Sequence, residues 1–230
     1  MKKYLKNFRP ALLFFCVFVV FTLLVVVVDV KEAGVNGTKL GFAGINKALT
    51  PRYNGIFYVL SEFFGIISLL IAAGFAVIGI IQLVKRKSLL KVDHRILALG
   101  AVYVLMLVLY LIFDHIPINY RPVLNGEEME ISYPSSHTML ALTVLLTALI
   151  YTGSVIKDKK VSKWVSIVLF SLIGLSVFTR YFSGVHWFTD IIGGIFLALS
   201  LATLYSGGVK TVSQIKKEKK RAKEAVNEQS

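Results

Sequence analysis

The chain has 230 residues, a length that suits one domain. Its residues are 56% hydrophobic, with a mean hydropathy of +0.71, which excludes an ordinary soluble domain of this size. Twenty-six Lys and Arg against thirteen Asp and Glu leave a net charge of +13, and where those charges fall decides whether their partner is nucleic acid or membrane.

Apolar residues come in six long blocks with polar residues confined to the connections. The first, Ala11–Val28, is broken only by Thr22 and follows Lys2, Lys3, Lys6 and Arg9. Those leading charges resemble a signal peptide, but the block is long for one and no small-x-small cleavage pattern follows, so a first spanning helix is expected. Cys16 lies within it as the chain's one cysteine, which excludes an internal disulfide. Lys31–Asn54 reads as a long outer connection with several glycines, expected to carry a short interfacial helix that covers the site. Its sequon, Asn36-Gly37-Thr38, carries little weight by itself.

The second block, Ile56–Val84, holds a single charge, Glu62. An acid inside a spanning segment faces protein or a cavity, so Glu62 is a candidate for the substrate pocket or for an internal pair. Ile96–Phe113, Thr138–Ile156, Trp164–Thr179 and Ile191–Val209 carry no charge. A span needs about 20 apolar residues, which leaves the fifth block at the short end. The expectation is an all-α polytopic membrane protein: a six-helix transmembrane domain over residues 1–209, then a basic cytoplasmic tail over 210–230.

With the amino terminus in the cytoplasm, twenty of the twenty-six Lys and Arg fall on the inner side: four before the first helix, five in Lys85–Arg95, four in Lys157–Lys163 and seven after Val209. That is the positive-inside signature, so the net charge reports orientation. The run Lys216-Lys217-Glu218-Lys219-Lys220-Arg221, placed just after a span, suits anionic lipid and argues against nucleic acid as a partner.

Three short segments then share the outer face: Arg121-Pro122, Pro134-Ser135-Ser136-His137, and Arg180 with His186 and Asp190 in an Arg-x5-His-x3-Asp array. An even number of crossings separates them, so the topology brings them to one side of the bilayer. Pro134, with Ser132 before it, marks a helix start whose free N–H groups can bind an anion. Ser135 adds a hydroxyl donor. His186 and Asp190, four apart, share a helix face. Asp190 can hold the Nδ1 proton of His186 and leave Nε2 as a nucleophile. Arg121 and Arg180 can clamp phosphate oxygens, and His137 can protonate a leaving group. This is the equipment for hydrolysing a phosphoester through a histidine, at headgroup depth where a lipid substrate keeps its tails in the bilayer.

At these residues the chain resembles the type-2 phosphatidic-acid phosphatase superfamily, whose pattern is Lys-x6-Arg-Pro, Pro-Ser-Gly-His and Ser-Arg-x5-His-x3-Asp. The resemblance covers roughly residues 96 to 206. It implies His186 as the nucleophile forming a phosphohistidine, Asp190 as its partner and His137 as the general acid. It further implies that Arg121, Ser135, Ser136 (through its backbone N–H) and Arg180 bind phosphate, and that no cofactor or metal is needed. The chain departs from the pattern at Ser136 for glycine, at Thr179 for serine and at Asp114 for lysine. Asp114 places an anion beside the expected phosphate, in a loop that also holds Glu127, Glu128 and Glu130. It is expected to pair with Arg121 or to accept a hydrogen bond from substrate, with His115 as the adjacent candidate cation. Undecaprenyl diphosphate, phosphatidylglycerol phosphate and phosphatidic acid are the candidate substrates. Phosphotransfer to an acceptor other than water, or lipid binding and transport without catalysis, are the alternatives.

Overall fold

The computed structural model describes residues 2–124 and 128–227; Glu127 lies outside them. In chain order the elements are α1 (Lys2–Leu5), α2 (Arg9–Val27), the strands β1 (Lys31–Glu32) and β2 (Lys39–Leu40), α3 (Ala43–Leu49), α4 (Gly55–Arg86), α5 (His94–Phe113), α6 (Ser136–Val155), α7 (Lys159–Phe182) and α8 (Phe188–Asn227). Six of these, α2 and α4 to α8, are long and apolar enough to cross a membrane, and the protein is a multi-pass membrane protein.

Helix ends follow capping groups rather than the limits of charge-free sequence. The expected fifth span, Trp164–Thr179, is embedded in α7, which runs from Lys159 to Phe182. Asp158 starts it by accepting from the N–H groups of Lys160 (2.8 Å) and Val161 (3.0 Å). Lys159, Lys160, Lys163 and Arg180 therefore sit inside the helix, where hydropathy alone would end it. Asn54 caps α4 in the same way, accepting from Ile56 and Phe57. The last helix runs unbroken from the sixth apolar block through the basic stretch to Asn227, about 60 Å in all. Ser135 caps α6 in place of the expected Ser132: its Oγ accepts from Thr138 N–H at 3.4 Å.

At the centre of the bundle stand α6 and α8. Burial reaches 50% and 61% of their most apolar windows, against 11–22% for the other four spans, whose outer faces are left for lipid. Close approach of the central pair requires glycine at 194, because a Cβ there would lie 2.8 Å from Ser135 O. Tyr133, Met139, Leu145, Leu197, Leu201 and Tyr205 fill the core between them and their neighbours.

The connection between α2 and α4 is more structured than a loop. β1 and β2 pair antiparallel, Lys31 opposite Leu40 and Glu32 opposite Lys39, and the expected short helix is α3. It lies against the start of α8, where the fully buried Asn46 donates to Thr189 Oγ1 (2.9 Å) and accepts from Thr189 N–H (3.0 Å). At the opposite end of the bundle the two chain ends are joined. Lys3 and Tyr4 both bond Glu218, and Asn7 Nδ2 reaches Thr211 Oγ1 and Gln214 Oε1.

Candidate active site

Arg180 is in the last turn of α7, His186 in the turn that follows, and Asp190 in the first turn of α8. Gly184 makes that turn possible, with a φ of +69° and Arg52 packed so close that a Cβ would lie 2.6 Å from its carbonyl. Asn54 N–H closes on Ser183 O at 3.0 Å, and Phe188 N–H on Thr50 Oγ1 at 3.0 Å. The α3 segment thus fixes the turn from outside. From within, Ser135 N–H donates to Asp190 O at 3.0 Å and locks the start of α6 to the start of α8. Arg121 is held by a short two-stranded contact in which Tyr120 pairs with Ile131 and Arg121 N–H donates to Glu130 O.

Three motif segments therefore converge as the topology requires. Arg180 Nη2 donates to Nε2 of His186 at 3.0 Å, and both side chains are 2% exposed. Burial, then the charges of Arg180 and Arg121, hold the His186 imidazole well below its ordinary range, so it is neutral at pH 7. Nδ1 of His186 faces Asp190 Oδ2 at 3.6 Å, just beyond a hydrogen bond. The expected Nδ1 contact is loose because the carboxylate is already engaged. Its Oδ2 accepts Trp187 N–H at 3.0 Å, the acidic half of a capping box for α8, and its Oδ1 accepts Asn119 Nδ2 at 3.1 Å.

Two cavities meet at His137 and Glu62. A polar one of about 480 Å³ is lined by Arg121, Arg180, His137, Glu62 and Glu130, with Tyr53 and Tyr58 at its edge. An apolar groove of about 310 Å³ runs between α4, α5 and α6, lined by Ile66, Leu69, Met106, Leu107 and Leu140. His137 and Glu62 line both. Each guanidinium keeps a buried Nε without a hydrogen-bond partner among the described residues.

Expectations for the loop residues need correction. Arg121 pairs with Glu130 (Nη2 to Oε2, 3.0 Å) and not with Asp114, the first of the two expectations for that acid. Loop pairing across Tyr120 and Ile131 brings Glu130 alongside. Asp114 ends α5 and lines a small cleft of about 30 Å³ with Ser132, Ser136 and His186. His115 is exposed and turns its Nδ1 back onto Leu111 O at 2.7 Å, so it is not among the residues around the polar cavity. Ser135 is fully buried and its Oγ accepts from both Thr138 N–H and Thr138 Oγ1, while Ser136 is the first helical residue of α6.

Sequence reasoning marked Glu62 of α4 as a candidate for the pocket or an internal pair, without naming its partners. Glu62 accepts from Arg180 Nη1 on one oxygen and from His137 Nε2 on the other, both at 3.0 Å. Ser61 Oγ accepts a further bond from Arg180 Nη1 at 3.2 Å. Only the depth of a lone carboxylate in an apolar run pointed to Glu62, and nothing in the sequence named its partners. Asn46 and Asn119, which brace the start of α8, gave no signal at all.

A model of the PAP2 superfamily matches residues 98–213, which include all three motif segments and leave out α4. Among solved structures, the chain is similar to the crystal structure of the first transmembrane PAP2 type phosphatidylglycerolphosphate phosphatase from Bacillus subtilis. The TM-score is 0.57 at 21% identity, covering 88% of this chain and 97% of that one, a likeness of fold. No curated protein matches the chain.

Proposed function

The chain belongs to the PAP2 superfamily, and from that premise we propose that it hydrolyses a phosphate or diphosphate ester carried by a lipid, through a phosphohistidine on His186. In the first step Nε2 of His186 attacks phosphorus and the P–O bond to the lipid breaks. His137, entering the step as the imidazolium, gives its Nε2 proton to the departing oxygen, and Asp190 offsets the positive charge that forms on the His186 ring. Arg121 and Arg180 bind the phosphoryl oxygens, with the first-turn N–H groups of α6 beside them. In the second step His137 takes a proton from water, whose oxygen attacks the phosphohistidine; inorganic phosphate leaves and His186 is regenerated. These groups supply the needed charge from guanidinium and imidazole alone.

The observation that carries this reading is the junction of the two cavities at His137: a polar chamber with both arginines on one side, an apolar groove open to the bilayer on the other. A phosphorylated headgroup fits the first while its hydrocarbon lies in the second. The charge distribution along the chain supports a site facing away from the cytoplasm, with both chain ends inside.

The test is phosphate release by the purified protein in detergent. Phosphatidylglycerol phosphate, phosphatidic acid and undecaprenyl diphosphate are supplied in turn, with EDTA present. Release is expected from at least one lipid and is lost in His186→Ala. Release that survives in His186→Ala, or none from any lipid with the protein folded, overturns the reading.

A further inference from the structure

Side chains of α4 enter the site from outside the stretch that matches the superfamily. Glu62 sets one carboxylate oxygen 3.0 Å from Arg180 Nη1 and the other 3.0 Å from His137 Nε2. Two oxygens of one anionic group, one on a clamping arginine and one on the proton-donating histidine, reproduce the contacts a phosphoryl group would make there. Building on the phosphatase reading, we infer that Glu62 is a resident anion seated where part of the phosphoryl group must go, which substrate has to displace and which selects lipid-borne phosphate over free phosphate.

Backbone proximity makes this arrangement possible. Gly65 lies one turn beyond Glu62, and a Cβ there would stand 3.2 Å from His137 Cδ2. The imidazole rests directly against α4, within reach of a carboxylate three residues back. The Glu62 side chain is itself 36% exposed and borders both cavities, so it has room to swing aside.

Charge makes the arrangement selective. Around the polar cavity two guanidiniums, Arg121 and Arg180, are each paired with a carboxylate, Glu130 and Glu62. A small dianion from solution finds both guanidiniums already offset by carboxylates and must evict one of these with only its own contacts. A lipid substrate brings apolar chain into the groove that Glu62 also borders, and that burial drives the exchange. When product forms, the returning carboxylate competes with inorganic phosphate and speeds its release.

Phosphate binding tests this without requiring turnover. Thermal midpoints of wild type, Glu62→Gln and Glu62→Ala are measured in detergent against rising inorganic phosphate, with phosphate inhibition of lipid hydrolysis as the second readout. Both variants are expected to bind phosphate about tenfold more tightly, as loss of a like charge within a few ångströms requires. Glu32→Gln, which removes one negative charge from the exposed hairpin residue, should leave phosphate binding unchanged. Unchanged or weaker phosphate binding in folded Glu62→Gln overturns the inference and makes Glu62 a strut for Arg180 and His137. Absence of lipid hydrolysis by wild type would sink the phosphatase reading alone, because the binding arm still reports on Glu62.

Discussion

Arg180 donates Nη2–H to Nε2 of His186 across 3.0 Å, and this contact assigns the imidazole proton. A guanidinium has no acceptor, so Nε2 must carry the lone pair and Nδ1 the hydrogen. The lone pair is held ready, but capped by an arginine. On the proposed phosphohistidine route, phosphoryl oxygens would draw the N–H groups of Arg180 away and so uncover Nε2 as substrate arrives. Replacing Arg180 by Ala is expected to lower kcat about 10²- to 10³-fold, the usual cost of one preorganised oxyanion donor. Arg180→Lys should recover little of this, because one ammonium cannot serve Glu62, Ser61 and His186 in a single plane. Steady-state phosphate release checks both.

Asp190 faces Nδ1 of His186 but is anchored by Trp187 and Asn119. Its role in the chemistry would begin when the ring turns positive and the 3.6 Å gap closes. Asp190→Asn should lower kcat by about 10²- to 10⁴-fold with a smaller change in KM, in line with what the orienting carboxylate of a triad contributes. Acid-quenched labelling with a radioactive substrate should show less phosphohistidine in that variant.

The buried His186 ties stability to pH. In the unfolded chain it titrates near 6.5, and in the folded protein well below that. Between the two values the unfolded chain holds a proton that the folded one lacks. Stability therefore falls as pH drops below about 6.5, by up to about 1.4 kcal/mol per unit, and levels off only below the folded value. Above pH 7 the group contributes no slope. Denaturant unfolding of wild type and His186→Gln should show a constant difference above pH 7 that shifts in favour of the variant on acidification.

Asn46 holds Thr189 by side chain and backbone and donates to Gly41 O at 2.8 Å. Asn46→Ala strands buried partners at the start of α8 and should cost about 1–3 kcal/mol for each one left unsatisfied. A lower thermal midpoint, with a kcat reduced because the His186 turn loosens, is the expected result.

The groove makes a separate claim about chain length. Leu69 lines it, one turn beyond Gly65 and further from His137 along α4. Leu69→Trp should lower activity on long-chain phosphatidic acid while sparing a short-chain, micelle-forming analogue. Equal losses on both would remove the groove from the substrate path.

Much of this site was legible because helix geometry and span count obey simple rules. The positions of Arg180, His186 and Asp190 follow from two helix ends on one face, and an even number of crossings brings Arg121 and His137 beside them. What was hidden depends on contacts distant in sequence. Glu62 and His137 are 75 residues apart, and no local pattern links a lone acid in one apolar run to a histidine at the start of another. Glu130 displaced Asp114 as the partner of Arg121 through a loop pairing that hydropathy does not encode. Hydropathy does not mark the limits of α7, because lysine stems are tolerated in a helix end that a capping Asp158 has already begun.

The clasp of Lys3, Tyr4 and Asn7 on α8 ties the first helices to the last at the end of the bundle away from His186 and Asp190. A break in the connection between α4 and α5, at residues 87–93, would leave every motif segment on the second piece and Glu62 on the first. Each piece would also carry one side of the clasp. Co-expressed as two chains, the halves should find each other in the bilayer, because the bonds that hold them together do not run through the peptide link.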